Sequence, residues 1–304
     1  MKSPATSPAL RIAVLLLAVH PVVFAAPLRV VSLHPIMSDL ARQVGGEAVE
    51  VIDLMPAGSN PHLYYPTPAN LKEASAADLI LASGKGMEPY LGEFAESLGA
   101  DVPIYEVGRA VPSLRVGDDE VFVCCPSHAK GALDPHWWHS IQNTRRAASA
   151  LAEEFAKAHP ERADYFRSRA DEYADRLRAL YDWAKTQIQS VPLADRELTT
   201  AHAAFGYLCR EMGIRSITIL GLTADHDADP AHLKDVIQTL KKEKVRAVFP
   251  EDGANPKILE TLAQEAGVQI GGHLHGDMIG GHDASYEDMI RCNINTIVSA
   301  LKGE

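Results

Sequence analysis

The sequence predicts an α/β protein built of two doubly wound lobes bridged by one long helix. Short β-rich runs alternate with helical spacing in both halves of the chain, the pattern of parallel sheets covered by helices. A helical pattern runs unbroken from Pro160 to about Gln189 between those halves. The chain has 304 residues, enough for two domains of ordinary size.

The elements follow in order. Leu28 to Leu33 reads as a strand, and Pro35 to Val44 as a helix stopped at Gly45-Gly46. Val49 to Leu54 is the next strand. The loop after it, Gly58-Ser59-Asn60-Pro61-His62-Leu63-Tyr64-Tyr65-Pro66-Thr67-Pro68, is expected to be rigid and extended. Thr67 and Pro68 fit the N-cap and first turn of a short helix. Ala77 to Ser83 is a buried strand, Glu88 to Leu98 a helix, and Pro103 to Val107 a further strand. Residues 112–133 carry no periodicity, which marks a functional or mobile loop. A helix follows from Arg145 to Ala158.

Pro160 suits the first turn of the linker helix, with Glu161 and Asp164 complementing its positive end. Tyr165, Tyr173, Leu177, Leu180 and Trp183 recur at helical spacing as its core face. The second half repeats the rhythm. Strands are expected at Glu197 to Ala201, Arg215 to Leu220, Val245 to Phe249 and Val268 to Gly272. Helices are expected at Phe205 to Met212, Pro230 to Lys242 with Asp229 as N-cap, Pro256 to Ala266, and Ser285 to Lys302. The implied division is a leader at 1–25, a first lobe at 26–159, a linker helix at 160–190 and a second lobe at 191–304.

Lys2 and Arg11 precede the apolar run Ile12 to Val19, and Val23-Phe24-Ala25 follows a break at His20-Pro21. This is the layout of a cleavable secretory signal peptide, too short for a membrane span. With no Cys near the cleavage point, the expectation is an exported, soluble protein without a lipid anchor, which the resemblance given below places in the periplasm. Removing Lys2 and Arg11 takes the formal charge from −11 to −13, which disfavours nucleic acid and anionic membrane as partners. The four Cys include no C-x-x-C pair, so a thiolate zinc site is not expected.

Four potential metal ligands follow strand-like segments, two in each half: His62, His136 in Asp134-Pro135-His136-Trp137-Trp138, His202 after Glu197 to Ala201, and Asp277 in Leu274-His275-Gly276-Asp277-Met278. Ligands in open α/β sheets bind beyond the carboxyl ends of strands, so these four point to a metal site between the lobes. His139 is a rival for His136. His34 reads as a core or supporting histidine, and Glu251 as part of the cleft rim. Asp225, His226, Asp227 and Asp229 are assigned to capping and solvation. His273 and His275 read as solvated loop residues or transient metal contacts.

These motifs, with Ala77-Asp78, Glu88-Pro89 and Phe205-Gly206-Tyr207, make the chain resemble the zinc and manganese substrate-binding proteins of ABC importers, cluster A-I, over residues 28–302. The likeness is to the zinc-specific ZnuA- and AztC-type members. It implies two Rossmann-like (β/α)4 lobes joined by a long rigid linker helix, with the metal site in the interlobe cleft and His62, His136, His202 and Asp277 as the ligands. It also implies a monomer that is not an enzyme, that binds one Zn²⁺ as transported cargo, and that meets an inner-membrane ABC permease and a periplasmic zinc metallochaperone. The third ligand position of manganese members resembles a Glu; here it is His202, which favours zinc. Residues 112–133 depart from the His-rich loop of many zinc members, holding one His, His128, while His273, His275 and His282 are spare near the fourth ligand. The alternatives are a manganese carrier, a secreted zinc hydrolase or an adhesin. No H-E-x-x-H supports the hydrolase.

For the cysteines, a lobe with strand order 2-1-3-4 and right-handed crossovers returns its closing helix over the face of its first helix. A Cys209–Cys292 disulfide is therefore expected, leaving Cys124 and Cys125 in the loop. The rival is a link from that loop to Cys209 or Cys292.

Overall fold

In the first lobe, four parallel strands run in the order β2-β1-β3-β4, formed by Leu28–Ser32 (β1), Val49–Asp53 (β2), Leu79–Ala82 (β3) and Ile104–Glu106 (β4). The chain is seen in a computed structural model that describes residues 26–99, 102–116, 120–122, 131–219, 230–252, 256–279 and 284–303. The leader at 1–25, Cys124, Cys125, His128, Asp225, His226, Asp227, Asp229 and His282 lie outside the described residues.

Alternation along β1 explains why helices cover both faces of this sheet. Leu28 and Val30 join the large core shared with helix Pro35–Gly45 (α1), whereas Val31 and Leu33 pack on the opposite side with Leu71, Tyr90 and Phe94. Helices Pro68–Ala74 (α2) and Leu91–Leu98 (α3) lie on that second side. Thr67 and Asn70 form a reciprocal capping box at the start of α2.

The second sheet has five parallel strands in the order β5-β7-β6-β8-β9. Four come from the second half: Glu197–Thr200 (β6), Arg215–Thr218 (β7), Ala247–Phe249 (β8) and Gln269–Ile270 (β9). They repeat the arrangement of the first lobe. The fifth, Glu120–Phe122 (β5), comes from the aperiodic stretch 112–133 and pairs with β7 in the register Val121↔Ile217. A segment assigned by sequence to the first lobe thus completes the edge of the second sheet. Three residues are too short to show a period, so the strand leaves no pattern in the sequence.

Helices Ile141–Ala158 (α4) and Ala163–Gln189 (α5) join the lobes, with Pro160–Arg162 as a turn of 3₁₀ helix between them. The linker therefore begins three residues later than the sequence suggests. Its buried face is Phe166, Ala170, Tyr173, Leu177, Leu180, Ala184 and Ile188; Tyr165 and Trp183 only flank it. Steps of three and four residues keep that face on one side of the helix. At about 1.5 Å per residue it spans roughly 40 Å. It packs against α1, α4 and the closing helix Tyr286–Lys302 (α9), with which it shares one core.

Buried hydrogen bonds add to this frame. Asp39 of α1 accepts from the Tyr286 backbone N–H at 3.0 Å. Glu211, in helix Gly206–Met212 (α6), accepts from Ser140 Oγ at 2.8 Å and from the N–H groups of Ile141 and Gln142 at 2.9 and 3.2 Å. It caps the start of α4 from the opposite lobe, satisfying amides that the helix cannot. Helices Pro230–Glu243 (α7) and Pro256–Ala266 (α8) complete the second lobe. Among the described residues no helix is long and apolar enough to cross a membrane.

The cysteine expectation is corrected. Cys209 and Cys292 are not bonded to each other: Cys209 is buried on α6 and Cys292 is exposed on α9. The phase of α9 explains this. Met289, Ile290, Asn293, Ile294 and Ile297 face inward, which turns position 292 toward solvent.

A continuous packed helix resists bending where a glycine hinge would not. Metal-free and metal-loaded protein are expected to give the same radius of gyration by small-angle X-ray scattering within measurement error. A gross contraction on loading would overturn the rigid frame.

Candidate metal centre

The loop after β2 delivers His62. It is not extended as the sequence suggested but folds into successive tight turns. Ser59 N–H donates to Pro56 O at 3.1 Å, Leu63 N–H to Asn60 O at 3.1 Å, and His62 N–H to the Asn60 side chain at 2.9 Å. The last bond is an Asx turn, for which a short amide side chain is suited. Tyr64 Oη anchors the loop by donating to Leu54 O at 2.9 Å.

His136 stands at the entry to the 3₁₀ turn Trp137–His139. Asp134 turns back to accept from the His136 backbone N–H at 2.9 Å and lies 2.8 Å from its Nδ1. His202 follows β6 directly. Glu251 accepts from the His202 N–H at 3.0 Å and lies 2.5 Å from its Nδ1. Carboxylates at both Nδ1 atoms hold a proton there, so that each ring in its neutral form directs its Nε2 lone pair at the centre. Asp277 lies on the segment after β9. That segment is tied to the first lobe, because Trp138 Nε1 and His139 Nε2 both donate to Gly276 O, at 3.0 and 2.8 Å.

Gly276 suits this close approach. A Cβ there would sit 3.2 Å from His202 Cε1 and 3.3 Å from Glu251 Oε2, tighter than a packed interior readily accommodates.

The four predicted residues converge. His62, His136, His202 and Asp277 each offer one ligand atom, all within 4.8 Å of one another. The Nε2 atoms of His62 and His136 are 3.2 Å apart. Asp277 Oδ2 is 3.4 Å from His62 Nε2 and from His202 Nε2, and its Oδ1 is 3.3 Å from His136 Nε2. Tetrahedral bonds of about 2.0–2.1 Å set neighbouring donors about 3.4 Å apart, so these spacings suit one ion at their centre. His202 Nε2 and Asp277 Oδ1 are buried without a hydrogen-bond partner, an arrangement that a bound cation would satisfy.

The rival His139 is not a donor to this centre; it is buried and bonds Gly276 O. His34 is also buried, caps α1 by accepting from Ile36 N–H at 3.3 Å, and lies against Trp138. Burial holds both imidazoles near a pKa of about 3, so neither carries charge. Trp137 and Trp138 pack fully buried around the site. Two contributors were missed. Glu251 is not a rim residue but a buried partner of His202, and Asp134 is the partner of His136 rather than only part of a motif. Asp134 carried a signal, standing two residues before His136 in one motif; Glu251, just beyond the end of β8, comes beside His202 only through the pairing of β6 with β8.

The protonation pattern follows from these contacts. Burial opposes charge on His202, yet Glu251 and Asp277 outweigh it and raise its pKa well above the ordinary value. His136 is likewise raised, with Asp134 and Asp277 overcoming burial. For His62 burial prevails over Asp277 and the pKa falls. Asp277 resists the upward push of burial because the three imidazoles hold it well below the usual carboxylate range.

Comparison with known proteins identifies the family. The family described as "ZnuA: Zinc-uptake complex component A periplasmic" matches residues 30–300. This chain belongs to that family of metal-binding ABC-importer proteins. It is 33% identical over 274 residues to the manganese-binding lipoprotein MntA of Bacillus subtilis, covering 88% of this chain and 87% of that protein. It is 26% identical to the iron-binding protein YfeA of Yersinia pestis, covering 90% of this chain and 86% of that one. The periplasmic zinc-binding protein TroA from Treponema pallidum superposes with a TM-score of 0.80 at 28% identity, covering 91% of this chain and 99% of that structure. The family comprises substrate-binding components of ABC importers for divalent metals, and its role is transport rather than catalysis. Its named metals include manganese, iron and zinc, so membership does not select the ion.

Two outcomes are expected. Glu251→Gln should weaken zinc binding by about 10–100-fold in a chelator-competition titration, as loss of a carboxylate behind a ligating imidazole does; unchanged affinity would count against its role. Metal competes with the protons that the raised pKa values of His136 and His202 favour, so affinity should fall with falling pH, by about tenfold per pH unit for each proton displaced. Calorimetry in buffers of different ionisation enthalpy should show net proton release near neutral pH, and none would refute the assignment.

Proposed function

We propose that this protein captures Zn²⁺ in the periplasm and delivers it to the permease of an ABC importer. The observation that carries this reading is the convergence of His62, His136, His202 and Asp277 at the junction of two rigid lobes. Three imidazoles and one carboxylate suit a borderline ion that accepts four ligands. Manganese favours more oxygen and higher coordination. The arrangement also speaks against a hydrolase. Asp277 fills the position that a catalytic zinc leaves open to water, and Glu251 is turned onto His202 rather than placed as a general base.

Manganese is the second reading, favoured by the 33% identity to a protein named manganese-binding lipoprotein. Asp277 offers both oxygens toward the imidazoles, which would allow a fifth bond. Affinity in the test tube does not separate the two, since nitrogen–oxygen sites bind zinc more tightly than manganese whatever their physiological cargo.

Uptake in cells separates them. Deletion of the gene should abolish high-affinity accumulation of radioactive zinc from nanomolar medium and leave manganese accumulation intact. His202→Ala should behave as the deletion, because it removes one of four ligands. Loss of manganese uptake with zinc uptake unchanged would establish the second reading instead.

A further inference from the structure

The segment that carries Glu251 has a second face, where two histidines and an aspartate meet. Glu251 and Leu274 form a parallel β-bridge, closed by Leu274 N–H to Pro250 O at 2.9 Å and Asp252 N–H to Leu274 O at 3.3 Å. Side chains alternate along extended backbone. Leu274 is fully buried, so His273 and His275 fall together on the opposite side. Between them stands Asp252. His273 Nε2 lies 2.9 Å from Asp252 Oδ1, and His275 Nδ1 lies 2.8 Å from Asp252 Oδ2. Glu251 faces inward to His202 while Asp252 faces outward to this histidine pair.

The backbone under the pair is fixed. Buried Asn293 of α9 accepts from the His275 N–H at 2.8 Å, and its amide donates to His275 O at the same distance. The side chains above remain open to solvent, at 46% exposure for His273, 21% for His275 and 14% for Asp252.

We propose that Asp252, His273 and His275 form a second divalent-cation site, solvent-open and separate from the buried centre. Two imidazoles and a carboxylate are the donors preferred by zinc and similar borderline ions. Binding exchanges two hydrogen bonds to the carboxylate for bonds to one ion, and needs only side-chain rotation above an anchored backbone. Three protein ligands leave the remaining positions to water. The ion is therefore held more weakly, and exchanges faster, than one enclosed by four buried ligands. This inference does not depend on the identity of the transported ion.

The test is the stoichiometry of the full-length mature protein, stripped of metal and titrated with zinc above the ordinary imidazole pKa of about 6.5. Two equivalents are expected, one tight and one weaker. The double variant His273→Ala, His275→Ala should lose the weaker equivalent and keep the tight one, which also shows that it has folded. His273→Ala alone, the substitution at the most exposed of the three side chains, should weaken the second equivalent and leave the first unchanged. A wild type that takes up one equivalent only, or a double variant that still takes up two, would overturn the proposal. A weaker equivalent removed by the double variant, in a protein lacking the tight one, would support the rim site and count against the buried site.

Discussion

Asp277 places a negative charge at the meeting point of two lobes, only 4% exposed and ringed by three imidazoles. A carboxylate buried in this way is strongly unfavourable unless a cation faces it. The requirement organises the surroundings. Asp134 and Glu251 stand behind two of the imidazoles and orient their free nitrogens inward. Trp138 and His139 grip the carbonyl one residue before Asp277, which fixes the carboxylate relative to the first lobe although it belongs to the second. The lobes are tied together around the charge by these two bonds.

The same logic makes a rigid frame useful. Four donors from four separate loops form one site only if their separations vary by little, since metal–ligand bonds tolerate only small changes in length. The linker helix and the cap that Glu211 supplies across the lobes hold those separations without help from the ion. His62 reaches the centre from a loop of tight turns, and His136 and His202 from positions just before or after regular elements. The most exposed of the three ligand rings, at 8%, is His62.

Much of this was legible in the sequence, for identifiable reasons. The strand and helix alternation follows from hydrophobic period, and the four candidate ligands stand in short motifs on loops after strands, where site residues collect. What escaped was long-range. Glu251 belongs to no motif and acquires its role only because β6 and β8 are neighbours, which sets it beside His202. The edge strand Glu120–Phe122 is too short to carry a period, and its partner lies far along the chain. The expected Cys209–Cys292 bond failed on helical phase rather than topology: the inward residues of α9 leave no inward place at position 292. That phase was readable, since Met289, Ile290, Ile294 and Ile297 already define the apolar side.

The proton and the metal are alternative cations for the same carboxylate. Glu251 and Asp277 favour the protonated form of the His202 ring, and the imidazoles in turn favour the ionised form of Asp277. A raised folded pKa means that this contribution to stability is fully present below the ordinary imidazole value of about 6.5 and fades as pH rises through the folded value. Metal binding has the opposite sense, because it requires the neutral ring and strengthens as the proton leaves. The two dependences run against each other, so at each pH one cation or the other favours the cluster.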